Sequence, residues 1–171
     1  KKLIITAFVL LTILLQQTIA QPGNEAAKDT AWKKVYRETV PVLNDLVHTR
    51  VDAKFDYNKS YMYGKVWLTV KPHFYATDSL KLDAKGMDIN KVAVVKGAAM
   101  QPLKYEYDGW ELKIKLDKTY TRFQNYIIYI DYIAKPDEVK VKGSAAINDA
   151  KGLYFINPRG EEADKPTQIW T

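Results

Sequence analysis

The chain has 171 residues with no cysteine, two histidines, 26 Lys and Arg, and 20 Asp and Glu, which gives a formal net charge of +6. Without cysteine it cannot have a disulfide framework, a thiolate nucleophile, or a cysteine-based zinc or iron–sulfur site. The charge is small and Lys alternates with acidic residues along most of the chain, so the sequence does not predict nucleic acid as a partner.

Residues 1–20 have the pattern of a secretory signal peptide. A short basic start precedes an apolar run over Leu3–Leu15, and Thr18–Ala20 offers small residues before a cut at Gln21. The apolar run is too short for a membrane-spanning helix, which needs about 20 residues, and no cysteine is present for a lipid anchor. We therefore expect an exported protein that is periplasmic, outer-envelope or extracellular and keeps no stable membrane anchor after cleavage.

Residues 21–42 predict a flexible lead and one short helix. The first ten of them include Pro, Gly and Asn and few apolar side chains. Trp32, Val35 and Tyr36 then follow at helical spacing, and Pro41 ends the pattern.

Residues 43–142 predict an antiparallel β-sandwich, because their apolar side chains recur at every second position. In the first strand, five residues point one way and leave a solvent-facing side opposite: Val47, Thr49, Val51, Ala53 and Phe55. A turn at Tyr57–Ser60 and a second alternating run up to Val70 complete a hairpin.

Further alternating runs follow at short spacing along the same region. They lie at Leu80–Leu82, Ile89–Val95, Leu103–Tyr107, Trp110–Leu116 and Phe123–Ile133. Asp108 and Gly109 separate two of these runs, and Asp-Gly at such a place is typical of a type I′ hairpin turn. The fold class predicted for the chain is therefore all-β, an antiparallel sandwich with a short N-terminal helix.

Residues 143–171 change in character to loop with one short apolar strand, Gly152–Ile156, followed by a polar loop over Pro158–Pro166. The sequence then stops on the apolar pair Ile169 and Trp170. We expect this segment to lead into a further domain that the sequence does not contain.

Two sets of polar residues are candidates for metal or acid–base sites. His48 and His73 are far apart in sequence and lack the spacing of a zinc-binding helix, which favours strand residues in contact with water. Glu161, Glu162 and Asp164 lack the oxygen-ligand spacing that calcium requires, which favours a solvated loop.

Tyr61, Tyr63 and Trp67 share the nominally polar side of the second strand. This aromatic surface has two interpretations. It could stack on a glycan or a peptide, or it could be a strand face that other protein covers. The residues alone carry no catalytic machinery: no nucleophile elbow and no phosphate-binding glycine loop is present.

Five segments, in this order, resemble the opening of the aminopeptidase N family of zinc metallopeptidases. The segments are LVHTRVDAKFD at Leu46–Asp56, GKVWLTV at Gly64–Val70, LKLDAKGMDI at Leu80–Ile89, LKYEYDG at Leu103–Gly109 and GLYF at Gly152–Phe155. Together they extend over about residues 43–171.

The resemblance implies a saddle-like N-terminal β-sandwich that packs on a thermolysin-like catalytic domain. The parent enzyme would bind zinc and remove N-terminal residues from peptides. The family's Gly-x-Met-Glu-Asn and His-Glu-x-x-His motifs are absent from this sequence, so no catalytic residue, metal ligand or cofactor is expected here. The resemblance thus implies a noncatalytic domain that contributes a wall of the substrate cleft.

The end of the chain carries the site residues that the resemblance implies. Pro166–Thr171 resembles the run that leads into the family's Gln-x-Glu motif, which holds the free amino group of the substrate. On this basis we expect four residues at the substrate cleft or the interdomain interface: Tyr154, Phe155, Gln168 and Trp170. The alternative interpretation is a free-standing secreted β-sandwich module that binds glycan or peptide on its aromatic face.

Overall fold

The computed structural model describes residues 41–139 and 151–171. The expected signal peptide, the predicted short helix and residues 143–150 lie outside this described part of the chain. Ten β-strands and one 3₁₀ turn, at Pro136–Glu138, form the regular structure of the described residues, which include no α-helix. The strands are β1 Asn44–Asp56, β2 Tyr61–Pro72, β3 Thr77–Asp83, β4 Met87–Lys96, β5 Ala99–Pro102, β6 Lys104–Tyr107, β7 Glu111–Tyr120, β8 Tyr126–Ala134, β9 Tyr154–Ile156 and β10 Gln168–Trp170.

These strands form three antiparallel sheets. The large sheet has five strands in the order β1-β2-β8-β4-β5, the second sheet has three in the order β3-β7-β6, and β9 and β10 form a two-stranded ribbon. The β1–β2 hairpin is confirmed. The pairing of β2 with β8, which puts Val66 opposite Ile130, joins strands that are distant in sequence.

The hydrophobic core lies between the large sheet and the three-stranded sheet. Val66 on β2 and Ile128 on β8 pack in one cluster with Leu112 and Ile114 of β7. Leu112 and Ile114 are 1% exposed and Ile128 is 0% exposed. Alternating strands bury one side of each sheet in this way, so the predicted sandwich is confirmed.

Strand β1 departs from the expected burial. Its register puts Leu46 opposite Val70 and Val51 opposite the buried Val66, so these side chains point to the core side of the large sheet. Leu46 is nevertheless 64% exposed and Val51 48% exposed. A bulge at Val47 also removes that residue from the predicted alternation. Both sides of the edge strand are therefore open to solvent, rather than one.

Two local predictions need correction. The Asp108-Gly109 hairpin forms between β6 and β7, but only Gly109 has positive φ, so the turn is not type I′. Asp108 instead accepts the backbone N–H groups of Trp110 and Glu111 on Oδ1 at 2.8 and 2.7 Å, which lowers its pKa. Phe123, placed in a strand by the sequence, precedes β8 and is 84% exposed.

Candidate functional site

The four residues expected at the cleft all lie on the β9–β10 ribbon. Trp170 pairs with Tyr154, and Gln168 pairs with Ile156. Directly opposed residues in an antiparallel pair point to the same side, so Tyr154, Gln168 and Trp170 share one face of the ribbon. Phe155 and its partner Ile169 point to the other face. The structure thus brings three of the four together and separates Phe155 from them.

Phe155 attaches the ribbon to the first hairpin. Its ring meets Phe55 edge-on, with the ring centroids 6.2 Å apart and the planes at 70°. It meets the Tyr57 ring edge-on as well, with the centroids 5.8 Å apart and the planes at 87°. Such edge-to-face pairs add about 0.5–1.5 kcal/mol beyond the area they bury. Phe155 therefore anchors the ribbon to the β1–β2 hairpin.

The ribbon face opposite Phe155 combines two aromatic rings with a side-chain amide. Trp170 is 62% exposed, and its indole Nε1–H donates to Gln168 Oε1 at 2.6 Å. The Tyr154 hydroxyl accepts the backbone N–H of Lys151 at 3.1 Å. Gln168 is half-buried, and the hydrogen bond from the Trp170 indole orients its amide. The arrangement can contact an extended peptide or a neighbouring domain, and it contains no acid, base or nucleophile.

Sequence reasoning missed Asn157, which organises the loop between the two ribbon strands. Asn157 is buried at φ 46°, and its Nδ2 donates to the carbonyl oxygens of Glu162 and Lys165 at 2.9 and 2.5 Å. Its Oδ1 accepts the N–H of Glu162 at 3.1 Å. The Thr167 hydroxyl donates to the Asn157 carbonyl at 3.0 Å. The signal was present as Asn-Pro-Arg-Gly, because Asn adopts positive φ more readily than most residues.

The acidic residues of this loop are exposed. Lys165 Nζ lies 2.6 Å from Glu162 Oε2, and Arg159 Nη1 lies 3.6 Å from Glu161 Oε1. This agrees with the solvated loop that the sequence favours. Nowhere in residues 41–139 or 151–171 do three or more His, Asp or Glu side chains form a group that could hold a metal ion.

The two histidines lie in different settings. His48 is exposed on β1, as a strand residue in contact with water would be. His73 is half-buried, and its Nδ1 lies 2.7 Å from Asp45 Oδ1. Lys71 Nζ approaches the other oxygen of Asp45 at 3.8 Å. His73 thus also has a carboxylate partner, which the sequence did not predict.

Tyr61, Tyr63 and Trp67 lie together on the outer side of the large sheet, as alternation requires. Arg50 lies over the Trp67 ring, with its Cζ 4.6 Å from the ring centroid. The Trp67 and Tyr129 rings are also in contact, with their centroids 5.0 Å apart. The Tyr61 hydroxyl donates to Glu138, which raises the pKa of Tyr61.

Lys135 Nζ lies 5.4 Å from the centroid of the Tyr61 ring. Cations therefore occupy one ring face of both Tyr61 and Trp67. In the part of the chain that the structure describes, no helix has the length and apolar character needed to span a membrane.

Comparison with models of protein families and with curated protein sequences finds no match. Among solved structures, the fold is similar to a two-domain M1 zinc metallopeptidase mutant bound to L-arginine, with a TM-score of 0.52, 16% identity, and coverage of 66% of this chain and 26% of that chain. An M1 zinc metallopeptidase from Deinococcus radiodurans gives a TM-score of 0.51 at 16% identity, covering 66% of this chain and 25% of that one.

A mutant of the Deinococcus radiodurans enzyme bound to a Tyr-Ser-Ala substrate is similar at a TM-score of 0.51 and 16% identity, with coverage of 64% and 25%. The chain thus spans about a quarter of the length of these solved chains. At this identity the likeness shows the fold: the described strands form a β-sandwich like the N-terminal part of M1 zinc metallopeptidases.

Proposed function

We propose that this chain is the noncatalytic N-terminal domain of an exported zinc metallo-aminopeptidase. It would pack on a thermolysin-like catalytic domain and form one wall of the cleft in which N-terminal residues are removed from peptides. The observation that carries the proposal is the fold match, which takes in about two thirds of this chain but only about a quarter of each metallopeptidase chain.

The resembling segments lie on or beside defined strands of the fold. Leu46–Asp56 and Gly64–Val70 lie on the paired strands β1 and β2, and Leu80–Ile89 continues from β3 into β4. Leu103–Gly109 includes β6 and its turn, and Gly152–Phe155 leads into β9. The first four segments therefore fall on strands of the two packed sheets, and the fifth leads into the ribbon.

The ribbon supports the assignment of a cleft wall. Tyr154, Gln168 and Trp170 form an outward face that two aromatic rings and one amide share. Such a face suits contacts with peptide backbone, because an amide can both donate and accept and the rings offer apolar surface. The described residues include no group that could bind zinc, so the proposal assigns the metal to the parent's catalytic domain.

The aromatic face on β2 receives less support as a binding surface. Arg50 and Lys135 lie over the rings of Trp67 and Tyr61, and Tyr61 also bonds to Glu138. A glycan that stacked on these ring faces would have to displace the cations. The free-standing binding module therefore receives less support than the peptidase domain.

The test compares the 171-residue chain with the complete product of its gene. Both are purified, loaded with zinc and assayed for release of an amino-acid anilide. We expect release by the complete product, inhibition by a metal chelator, and no release by the 171-residue chain. Zinc-dependent release by the 171-residue chain would contradict the noncatalytic role, and a complete product with no peptidase activity would contradict the parent assignment.

A further inference from the structure

The core side of β1 carries an apolar surface that the second sheet does not cover. We define the β1 strip as Leu46, Val51 and Phe55, which pair with Val70, Val66 and Met62 on the core side of β2. The strip residues are 64%, 48% and 39% exposed in chain order. The intervening core-side residues, Thr49 and Ala53, are also exposed and uncharged.

The three-stranded sheet ends before it reaches the strip. The core cluster contains residues of β2, β8, β4, β3 and β7, and none of β1. Val66 and Val70 on the neighbouring strand are buried at 8% and 2% exposure. The edge of the covered region therefore falls between β2 and β1, although the apolar side continues onto β1.

The two sides of β1 carry different kinds of residue, ionisable on the outer side and uncharged on the core side. An edge strand with water on both sides would not require this difference. On the outer side, every residue of the alternation from His48 to Asp56 is ionisable, and Arg50 pairs with Asp52 at 3.0 Å. The strip side has no charged residue between Leu46 and Phe55 at the core-facing positions. A long, exposed edge strand with an apolar side is an aggregation hazard unless something covers it. The difference between the sides indicates an apolar partner.

The strip is continuous with the terminal ribbon. Phe55, at one end of the strip, contacts Phe155 with ring centroids 6.2 Å apart, and Tyr57 contacts the same ring at 5.8 Å. The ribbon's outward face, with Gln168 and Trp170, is the surface assigned to the cleft in the proposed function. Any residues that follow Thr171 emerge from this ribbon, beside the strip.

We propose that the β1 strip is the docking surface for the catalytic domain of the same polypeptide, an inference that rests on the proposed function. The occupant presents an apolar surface to Leu46, Val51 and Phe55, and it covers the ribbon and the strip together. The outer side of β1, with its ionisable row, stays in water. Docking thus buries the apolar side chains of β1, as the alternation along this strand predicts.

These 171 residues contain no cysteine, so a thiol introduced among them can be followed by labelling and located by peptide mapping. Val51→Cys places a thiol in the strip, and Lys54→Cys places the matched control on the outer side of the same strand. Maleimide labelling rates are measured for each variant in the 171-residue chain and in the complete gene product, with the unsubstituted proteins as blanks. Comparing one variant in two contexts cancels differences in thiol pKa between the positions.

We expect Val51→Cys to react about tenfold or more slowly in the complete product than in the 171-residue chain, because docking must open before the thiol is reached. Lys54→Cys should react at the same rate in both. Equal rates for Val51→Cys in an active zinc peptidase would overturn the docking surface and leave the proposed function standing. Slow labelling already in a dimeric 171-residue chain would assign the strip to a second copy and also overturn it. A complete product without a peptidase domain would instead overturn the proposed function.

Discussion

Asn157 shows how one side chain can organise a whole loop. It supplies the positive φ that begins the loop, and its amide bonds to backbone groups of both Glu162 and Lys165. Both contributions come from one residue because Asn combines tolerance of positive φ with a short donor–acceptor side chain.

We predict that Asn157→Ala costs about 2–4 kcal/mol of local stability, from lost buried hydrogen bonds and backbone strain. Asn157→Gly should cost less, because glycine keeps the conformation and loses only the bonds. Hydrogen exchange of the Glu162 amide, which donates to Asn157, reports the change. Glu161→Ala, in the same loop but exposed, is the control and should leave that amide unchanged. Equal protection of the Glu162 amide in Asn157→Ala and in the unsubstituted chain would show that Asn157 does not organise the loop.

Asp117 links a cation and a phenol at the end of β7. Burial raises the pKa of Asp117, whose side chain is 5% exposed, but hydrogen bonds from Lys96 and from the Tyr120 hydroxyl, at 2.8 Å, lower it more. The net pKa lies below the usual value. Burial, followed by the neighbouring carboxylate, raises the pKa of Tyr120 to about 12.

A lowered carboxyl pKa stabilises the folded state above the unfolded pKa of about 4, and this contribution is lost as the pH falls. We predict that Asp117→Asn destabilises the chain by about 1–2 kcal/mol near neutral pH. The difference from the parent should shrink as the pH falls below the unfolded pKa and the folded carboxyl takes up its proton. Urea unfolding at neutral and at acidic pH measures it. Asp164→Asn, on an exposed loop residue, is the control, and a difference that does not change with pH would rule the linkage out.

At the scale of elements, the close contact of β2 with β8 depends on a missing side chain. Gly64 lies opposite Tyr132, and a Cβ atom built on Gly64 would fall 2.3 Å from Tyr132 Cζ. The ring therefore crosses the backbone of β2 at the place where no side chain stands. Glycine normally weakens a strand, so its presence here reflects this approach rather than strand propensity.

We predict that Gly64→Ala destabilises the fold by about 1–3 kcal/mol, because the half-buried ring must move. In a Tyr132→Leu background, which removes the ring atoms concerned, the same substitution should be neutral or stabilising. Urea unfolding of the four proteins in this double-mutant cycle, followed by tryptophan fluorescence, gives the coupling. Additive effects of the two substitutions would show that the contact does not decide the packing.

Elements were predictable to the extent that their signals are local. Alternation identified β2 and β7 because each buries alternate residues against one core. β4 departs from this pattern, since Val92, Ala93 and Val94 are all buried. β5 and β10 were missed: β5 is exposed along its whole length, and β10 is only three residues long, so neither carries a detectable period. The predicted position of the Asp108 turn was right, but its predicted type was wrong. Several turn types accept Asp-Gly, and the geometry of the strands selects among them.

At the scale of the whole molecule, the sandwich is closed over β2, β8 and β4 and open over β1. The candidate site adjoins this open side, because Phe155 seats the ribbon on Phe55 and Tyr57. The proposed catalytic domain would therefore meet one continuous surface, made of the ribbon face and the β1 strip. On the opposite side of the large sheet, cations lie over the aromatic rings of Trp67 and Tyr129.

The sequence by itself determined the class of fold and the places where the chain turns, because period-two alternation and the glycines and asparagines of turns act over a few residues. It also pointed to Tyr154, Phe155, Gln168 and Trp170 as one group through a family resemblance. Only the tertiary structure decided that Phe155 is an anchor facing away from the other three, and that the apolar side of β1 is left uncovered. Burial depends on which distant segments meet, as β2 and β8 do, and a strand's own pattern cannot specify what will lie across from it.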